Sequence, residues 1–132
     1  MAKVPRKVRF VKATSDQQPE NAETRVVLER TGTGTFVGTS ATGGSDREVF
    51  LAGARAAAQA VEQAAGGGGA SVEVEDIEVT SAVGHPVVIV SVVASYKGEI
   101  RNLFGICRVK PDRATSAALA VLSATNRIFD LG

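Results

Sequence analysis

The chain has little sulfur and few aromatic rings. Its 132 residues include one cysteine, one histidine and no tryptophan. Cys107 therefore has no internal disulfide partner, and its apolar surroundings favour a small buried side chain over a reactive thiol. His85 precedes Pro86 without a cluster of metal ligands nearby, which indicates a turn rather than a metal or catalytic site. The sequence thus predicts no metal site and no cofactor.

Long hydrophobic runs are also missing. The longest, "PVVIV" extended through Ser91 to Ala94, is far shorter than the roughly 18 residues of a membrane span. Basic residues in the opening "MAKVPRKVRF" are not followed by the apolar segment of an export signal. We therefore expect a soluble, cytoplasmic chain without a membrane partner.

Neither sign of charge dominates, because the formal net charge is +1. This balance gives no general attraction to nucleic acid. A local exception is a set of five basic residues near the start, which we interpret as a charged edge strand or arm, with nucleic-acid contact as the less favoured alternative. The five are Lys3, Arg6, Lys7, Arg9 and Lys12.

Catalytic groups do not assemble into a recognisable set. No nucleophile, base and orienting residue occur in a characteristic arrangement, and the acidic positions of residues 73–78 alternate as on a solvated strand face. The sequence therefore predicts no catalytic residue and a protein that is not an enzyme.

An internal repeat organises the chain. The glycine-rich segment "AAGGGGAS" divides it near the middle, and the two halves superimpose at an offset of about 66 or 67 residues. We predict a single domain over 1–132, with repeat one at about 4–65, a flexible linker at 66–70 and repeat two at about 71–130.

The first half predicts three strands and a helix. "KVRFVKA" and "TRVVLER" alternate apolar and polar residues, and "TFVGTSAT" is a third strand. Ser45 or Asp46 can cap the helix that follows. The apolar stripe of this helix is Phe50, Ala54, Ala57 and Val61.

The second half repeats this order. "SVEVEDIEVTS" changes parity, which predicts a bulge near Glu75 and Asp76. "PVVIVSVVASY" is almost continuously apolar, as in a strand covered on both sides, and Lys97 and Gly98 turn it into "EIRNLFGICRV". A helix then begins near Pro111 and Asp112. Its stripe is Ala118, Val121, Leu122, Thr125 and Phe129.

Both helices are rich in small residues, which lets backbones approach closely. The fold class is therefore α+β, with two βββα repeats whose helices pack on a mainly antiparallel sheet.

Five glycines between residues 32 and 44 raise the question of a phosphate loop. They match neither a Walker loop nor a dinucleotide fingerprint, so nucleotide binding is disfavoured. Gly32 and Gly34 are typical of a turn, and Gly38 of a strand glycine beside a close backbone neighbour. Gly43 and Gly44 precede a helix start, where free N–H groups favour an anion; a simple turn capped by Ser45 or Asp46 is the alternative.

The stretch "SAVGHPVVIVSVVASYKGEIRNLFGICRVKPDRATSAALAVLSATNRIF" resembles the closing half of the C-terminal regulatory domain of 2-isopropylmalate synthase and citramalate synthase. Gly105, Asp112, Ser116, Asn126 and Arg127 match the family's pattern. "FVGTSATGGSDREVFLAGARAAAQAV" is similar to the family's other unit. The similarity covers roughly residues 24–130.

This resemblance implies two βββα units related by pseudo-twofold symmetry, and a homodimer. It also implies an end-product amino acid, leucine or isoleucine, bound between the units, and a partner enzyme that responds to it. The residues expected at the ligand by position are Thr42, Gly43, Gly44, Ser45, Asp46, Asp112, Arg113 and Ala114.

The loop before the first helix departs from the family. Where the family has a further glycine-proline, this chain has "SDREV". That difference favours a second hypothesis: a ligand-free interaction or assembly module that has the fold without the pocket.

Overall fold

The computed structural model describes residues 8–17, 22–30, 34–42, 46–65, 70–96 and 98–125. They form two successive βββα units, which confirms the predicted fold class. The first unit contains β1 (Val8–Gln17), β2 (Ala22–Arg30), β3 (Gly34–Thr42) and α1 (Asp46–Ala64). The second contains β4 (Ser71–Ala82), β5 (His85–Tyr96), β6 (Glu99–Arg108) and α2 (Arg113–Thr125). The predicted linker at 66–70 lies outside the described residues except for Ala70.

Each unit has its own antiparallel sheet, in the order β1-β2-β3 and β4-β5-β6. Helix α1 packs on β2 and β3, and α2 packs on β5 and β6. The helices also contact each other, and each touches the first strand of the other unit. The core therefore lies between the helices and the inner faces of the two sheets, and each sheet turns its second face outward.

The apolar stripes predicted for the helices are buried. Every stripe residue up to Thr125 is buried, whereas Phe129 lies outside the described residues. Alanine supplies most of the remaining buried helical positions. Because alanine has so short a side chain, helix and sheet backbones lie close together.

Glycine makes this approach possible at the same place in both units. A Cβ on Gly38 would lie 1.8 Å from the carbonyl oxygen of Ala56, and one on Gly105 would lie 1.8 Å from that of Ala120. The prediction that Gly38 has a close backbone neighbour is confirmed. The matching contacts are the structural counterpart of the repeat.

Bulges also recur in both units. The register of β4 against β5 shifts between Val74 and Asp76, so the bulge predicted near Glu75 and Asp76 is confirmed. The register of β1 against β2 shifts between Phe10 and Lys12. The first strand of each unit is therefore bent at a similar point.

Tight turns join the strands of the second unit. Val83 and Gly84 both have positive φ, 51° and 77°, as a type I′ hairpin turn requires. Gly98 has φ 83° in the turn from β5 to β6, which confirms the predicted hairpin, although Lys97 lies outside the described residues. His85 is the first residue of β5, directly after the earlier turn.

The expectation that β5 is covered on both sides is only half right. Val88, Val90 and Val92 are buried beneath the helices, but Ile89 and Val93 on the other face are half-buried. No second layer covers this outer face among the described elements, so the continuous apolar run reflects one buried face and one partly exposed face.

Long-range hydrogen bonds fix both ends of the linker region. Arg30 Nη1 donates to the carbonyl oxygen of Ala64 at 2.6 Å, placing a cation at the C-terminal end of α1. Glu62 Oε2 accepts from the backbone N–H of Val72 at 2.7 Å. The end of α1 is thereby tied to the start of β4.

Candidate functional site

The first group of predicted ligand residues surrounds the start of α1. Thr42 is the last residue of β3, and Asp46 is the first residue of α1. Gly43, Gly44 and Ser45 lie between them, outside the described residues. The placement of these residues at a ligand stays a prediction.

The second group begins with Asp112, which caps α2. Its carbonyl oxygen accepts from both the N–H and the Oγ of Ser116, each at 3.1 Å. Its carboxylate accepts a hydrogen bond from Thr115 Oγ1. Ser116 Oγ also accepts from the N–H of Lys110 at 2.7 Å. Asp112 and Ser116, matched above to the family pattern, therefore hold the start of the helix together.

Ala114 lies in the contact between the helices. It is fully buried, and a Cβ on Gly53 would lie 2.8 Å from its Cα atom. Gly53 follows Asp46 by seven residues, a rise of about 10 Å along the helix axis. The start of α2 therefore lies against the second turn of α1, with Asp112 and Arg113 exposed beside buried Ala114.

A groove opens beside the first turn of α1, where the helix faces β4 of the second unit. It has a volume of about 440 Å³, within the roughly 300–1,000 Å³ of small-ligand pockets. Phe50, Ile77 and Val79 line it with apolar surface, and Arg47 and Glu78 contribute opposite charges. We call these five residues the α1–β4 groove.

An ion pair between the units flanks the groove. Arg47 Nη2 lies 2.8 Å from Asp76 Oδ1, which also accepts the N–H of Ile77 at 2.8 Å. Both charged side chains are mostly exposed. Such surface pairs contribute about 0–1 kcal/mol, so the guanidinium can turn to another carboxylate at little cost.

The equivalent place in the other half has different chemistry. Helical and first-strand positions of the two units correspond at an offset of 64 residues, as Ala56 and Ala120 show. Pro111 then replaces Arg47, and Ala114 replaces Phe50. Ala13 and Thr14 correspond to Ile77 and Glu78 in the same way. The combination of two charges and an apolar floor is therefore specific to the α1–β4 groove.

The sequence predicts a ligand residue next to this groove, Asp46, but none of the five residues that line it. Asp46 adjoins Arg47, but the helical pattern places Arg47 on the polar face of α1 together with Arg55, and nothing in that pattern distinguishes the two. The residues on β4 lie about thirty positions further along the chain, and only the packing of α1 against the second unit brings them together.

Other candidate groups stay apart from the groove. Cys107 is half-buried, and burial raises the pKa of its thiol, opposed by the positive charge of Lys110. Of the five early basic residues, only Arg9 and Lys12 are described, and Arg9 pairs with Glu29 at 3.6 Å.

Within the described ranges, three or more metal-binding side chains never come together, and neither helix is long and apolar enough to cross a membrane.

Comparison with protein-family models and with curated proteins transfers no role to this chain. The chain matches no protein-family model and no curated protein. The groove must therefore be interpreted from its own chemistry.

Proposed function

We propose that this chain is a non-catalytic regulatory module that binds a small amino acid or a related carboxylate in the α1–β4 groove. We further propose that it acts in the cytoplasm as a homodimer and reports its ligand state to a partner enzyme. The observation that carries the proposal is one cation, one anion and an apolar floor in a single groove of suitable size.

An amino acid of the leucine or isoleucine type matches each of these features. Arg47 offers a planar, permanently charged guanidinium to the carboxylate of the ligand. Glu78 stands on the outer face of β4 at the border of the groove, and from there it offers a negative charge to the ammonium group. The branched side chain would lie on Phe50, Ile77 and Val79, where it loses contact with water.

The position of the groove suits regulation. Arg47 and Phe50 belong to the first unit, whereas the β4 residues belong to the second. A ligand that contacts both units stabilises one relative arrangement of them, and a ligand shifts an equilibrium by its difference in affinity for the two states. A partner that contacts both units could detect this change.

A thermal-unfolding screen with the branched-chain amino acids and their keto acids tests the proposal. A ligand at one hundred times its dissociation constant adds about 2.7 kcal/mol to the free energy of unfolding. We expect at least one of these compounds to raise the melting temperature. If none does, the amino-acid-binding function is wrong.

Two matched variants locate the effect. Arg47→Gln removes the cation of the groove and should abolish the shift in melting temperature. Arg55→Gln removes an exposed cation eight residues later on the same helix and should leave the shift intact. Equal losses in both variants would show that the ligand responds to general charge rather than to this groove.

A second candidate function is a ligand-free interaction or assembly module. The observation that favours it is the exposed apolar surface of Ile100, Phe104 and Ile106 on β6. A protein of this kind would self-associate or bind a partner equally well with and without amino acids. The ligand screen therefore distinguishes the two functions.

A further inference from the structure

The outer edges of the two sheets differ, although the sheets have the same topology. In the first sheet, two glutamines of α1 close the edge of β3. Gln59 Oε1 accepts from the N–H of Thr39 at 2.8 Å, and Gln63 Nε2 donates to the carbonyl oxygen of Val37 at 3.0 Å. These bonds satisfy backbone groups that would otherwise be open to another strand.

The matching edge of β6 lacks the cover that Gln59 gives to β3, whereas the counterpart of Gln63 is Arg127, which lies outside the described residues. Phe104 and Ile106 correspond to Val37 and Thr39 at the 67-residue offset that relates the two strand glycines. Ser123 stands where α1 has Gln59, and its short side chain makes no bond to the strand. Across the described residues, no side chain bonds to the outward N–H of Ile106 or carbonyl oxygen of Phe104.

Apolar side chains stand along the same open edge. Ile100 is 74% exposed, Phe104 68% and Ile106 51%. Their neighbours on the same face of β5, Ile89 and Val93, are only half-exposed because strands flank them on both sides. A strand added beyond β6 would cover the exposed side chains in the same way and use the open backbone groups.

We propose that this strand is β6 of a second copy, so that two three-stranded sheets join into one six-stranded antiparallel sheet. The proposal rests on the homodimer of the proposed function and names its interface. A twofold axis through the middle of β6 pairs the strand with itself and closes the assembly at two copies.

Charge supports edge-to-edge pairing over the stacking of the two outer faces. The acidic residues Glu73, Asp76 and Glu78 line the outer face of β4. Joining the sheets at β6 keeps the two acidic rows five strand spacings apart, about 24 Å, beyond a Debye length of about 8 Å. If the outer faces of two copies stacked instead, the acidic row of one copy would lie against the acidic row or against Phe104 of the other.

Analytical ultracentrifugation over a concentration series tests the interface. Phe104→Lys and Ile106→Lys should each raise the dimer dissociation constant about tenfold or more, since a charged side chain on an edge strand opposes pairing with a second strand. Val37→Lys and Thr39→Lys are the matched controls on β3 and should leave the dissociation constant unchanged. Circular dichroism spectra equal to that of the unchanged protein show that each variant is folded.

A further variant separates strand pairing from simple apolar contact. Ser123→Gln gives α2 the residue with which α1 covers the edge of β3. It should cover the edge of β6 in the same way and weaken the dimer without altering any apolar side chain. If the dimer dissociation constant is unchanged in Ser123→Gln, or in both lysine variants on β6, the proposed interface is wrong. That result would not contradict the homodimer itself. A chain that is monomeric at all concentrations contradicts the homodimer itself, independently of the ligand screen.

Discussion

Gly38 and Gly105 make the same contact in the two halves of the molecule. A methyl group on either would lie 1.8 Å from a helical carbonyl oxygen, that of Ala56 or Ala120, and 2.8 Å from the backbone nitrogen of Ala60 or Ala124. Because the obstructing atoms are backbone, the helix would have to move away from its sheet. The distance between helix and sheet therefore depends on these two glycines.

Gly38→Ala and Gly105→Ala should each lower the free energy of unfolding by about 3 kcal/mol or more, since neither helix can yield without losing its alanine contacts. Urea denaturation gives the measurement. Thr39→Ala, an exposed neighbour on the same strand, should stay within about 0.5 kcal/mol of the unchanged protein. A mild effect at both glycines would mean that the close approach is not needed.

Replacing Val83 by asparagine should stabilise the protein. Its φ of 51° is unfavourable for a β-branched residue, and its side chain is 97% exposed, so no packing offsets the strain. Val83→Asn creates an Asn-Gly type I′ turn and should raise the free energy of unfolding by about 1 kcal/mol. Val79→Asn, in the middle of β4, should give no gain. A loss of stability in Val83→Asn would contradict the turn geometry.

Cys107 should react slowly in the folded protein. Burial raises the pKa of its thiol, so the folded chain contains less thiolate at a given pH than the unfolded chain. We expect slower alkylation by iodoacetamide in native buffer than in urea at pH 8, with a native rate that increases further as the pH rises. A native rate equal to the unfolded rate would contradict the burial of this side chain.

In the proposed complex, Asp76 would compete with the ligand carboxylate for Arg47, with which it forms an ion pair. Asp76→Asn retains an oxygen for the N–H of Ile77 but removes the charge that holds the guanidinium. The variant should bind the amino acid more tightly, with unfolding free energy changed by less than about 1 kcal/mol. Isothermal titration calorimetry measures the affinity, and Glu75→Gln on the neighbouring bulge is the control. Weaker binding in Asp76→Asn would show that Arg47 is not the carboxylate contact.

Much of the fold follows from local pattern. Alternation and helical stripes predicted all six strands and both helices, and the change of parity before Ile77 predicted a bulge that the register confirms. The glycine at position 38 predicted a close backbone neighbour, which the structure shows to be α1. These features could be predicted because each depends on residues near one another in the chain.

The parts that were not predicted depend on distant residues. Whether the outer face of β5 is exposed depends on which layers cover the sheet. A continuous run of apolar residues in the sequence does not show this. The α1–β4 groove forms because Phe50 of the first unit lies close to Ile77 of the second. The hydrogen bonds of Asp112 within the start of α2 were not predicted either, and its place at a ligand, expected from resemblance, stays a prediction.

Titration of the ¹⁵N-labelled protein with L-leucine and L-isoleucine, followed by amide chemical shifts, tests the central claim most directly. The proposed function predicts saturable shifts at Arg47 and Phe50 on α1 and at Ile77, Glu78 and Val79 on β4, and their loss in Arg47→Gln. Spectra unchanged at large ligand excess, or shifts confined to residues away from this groove, would contradict it.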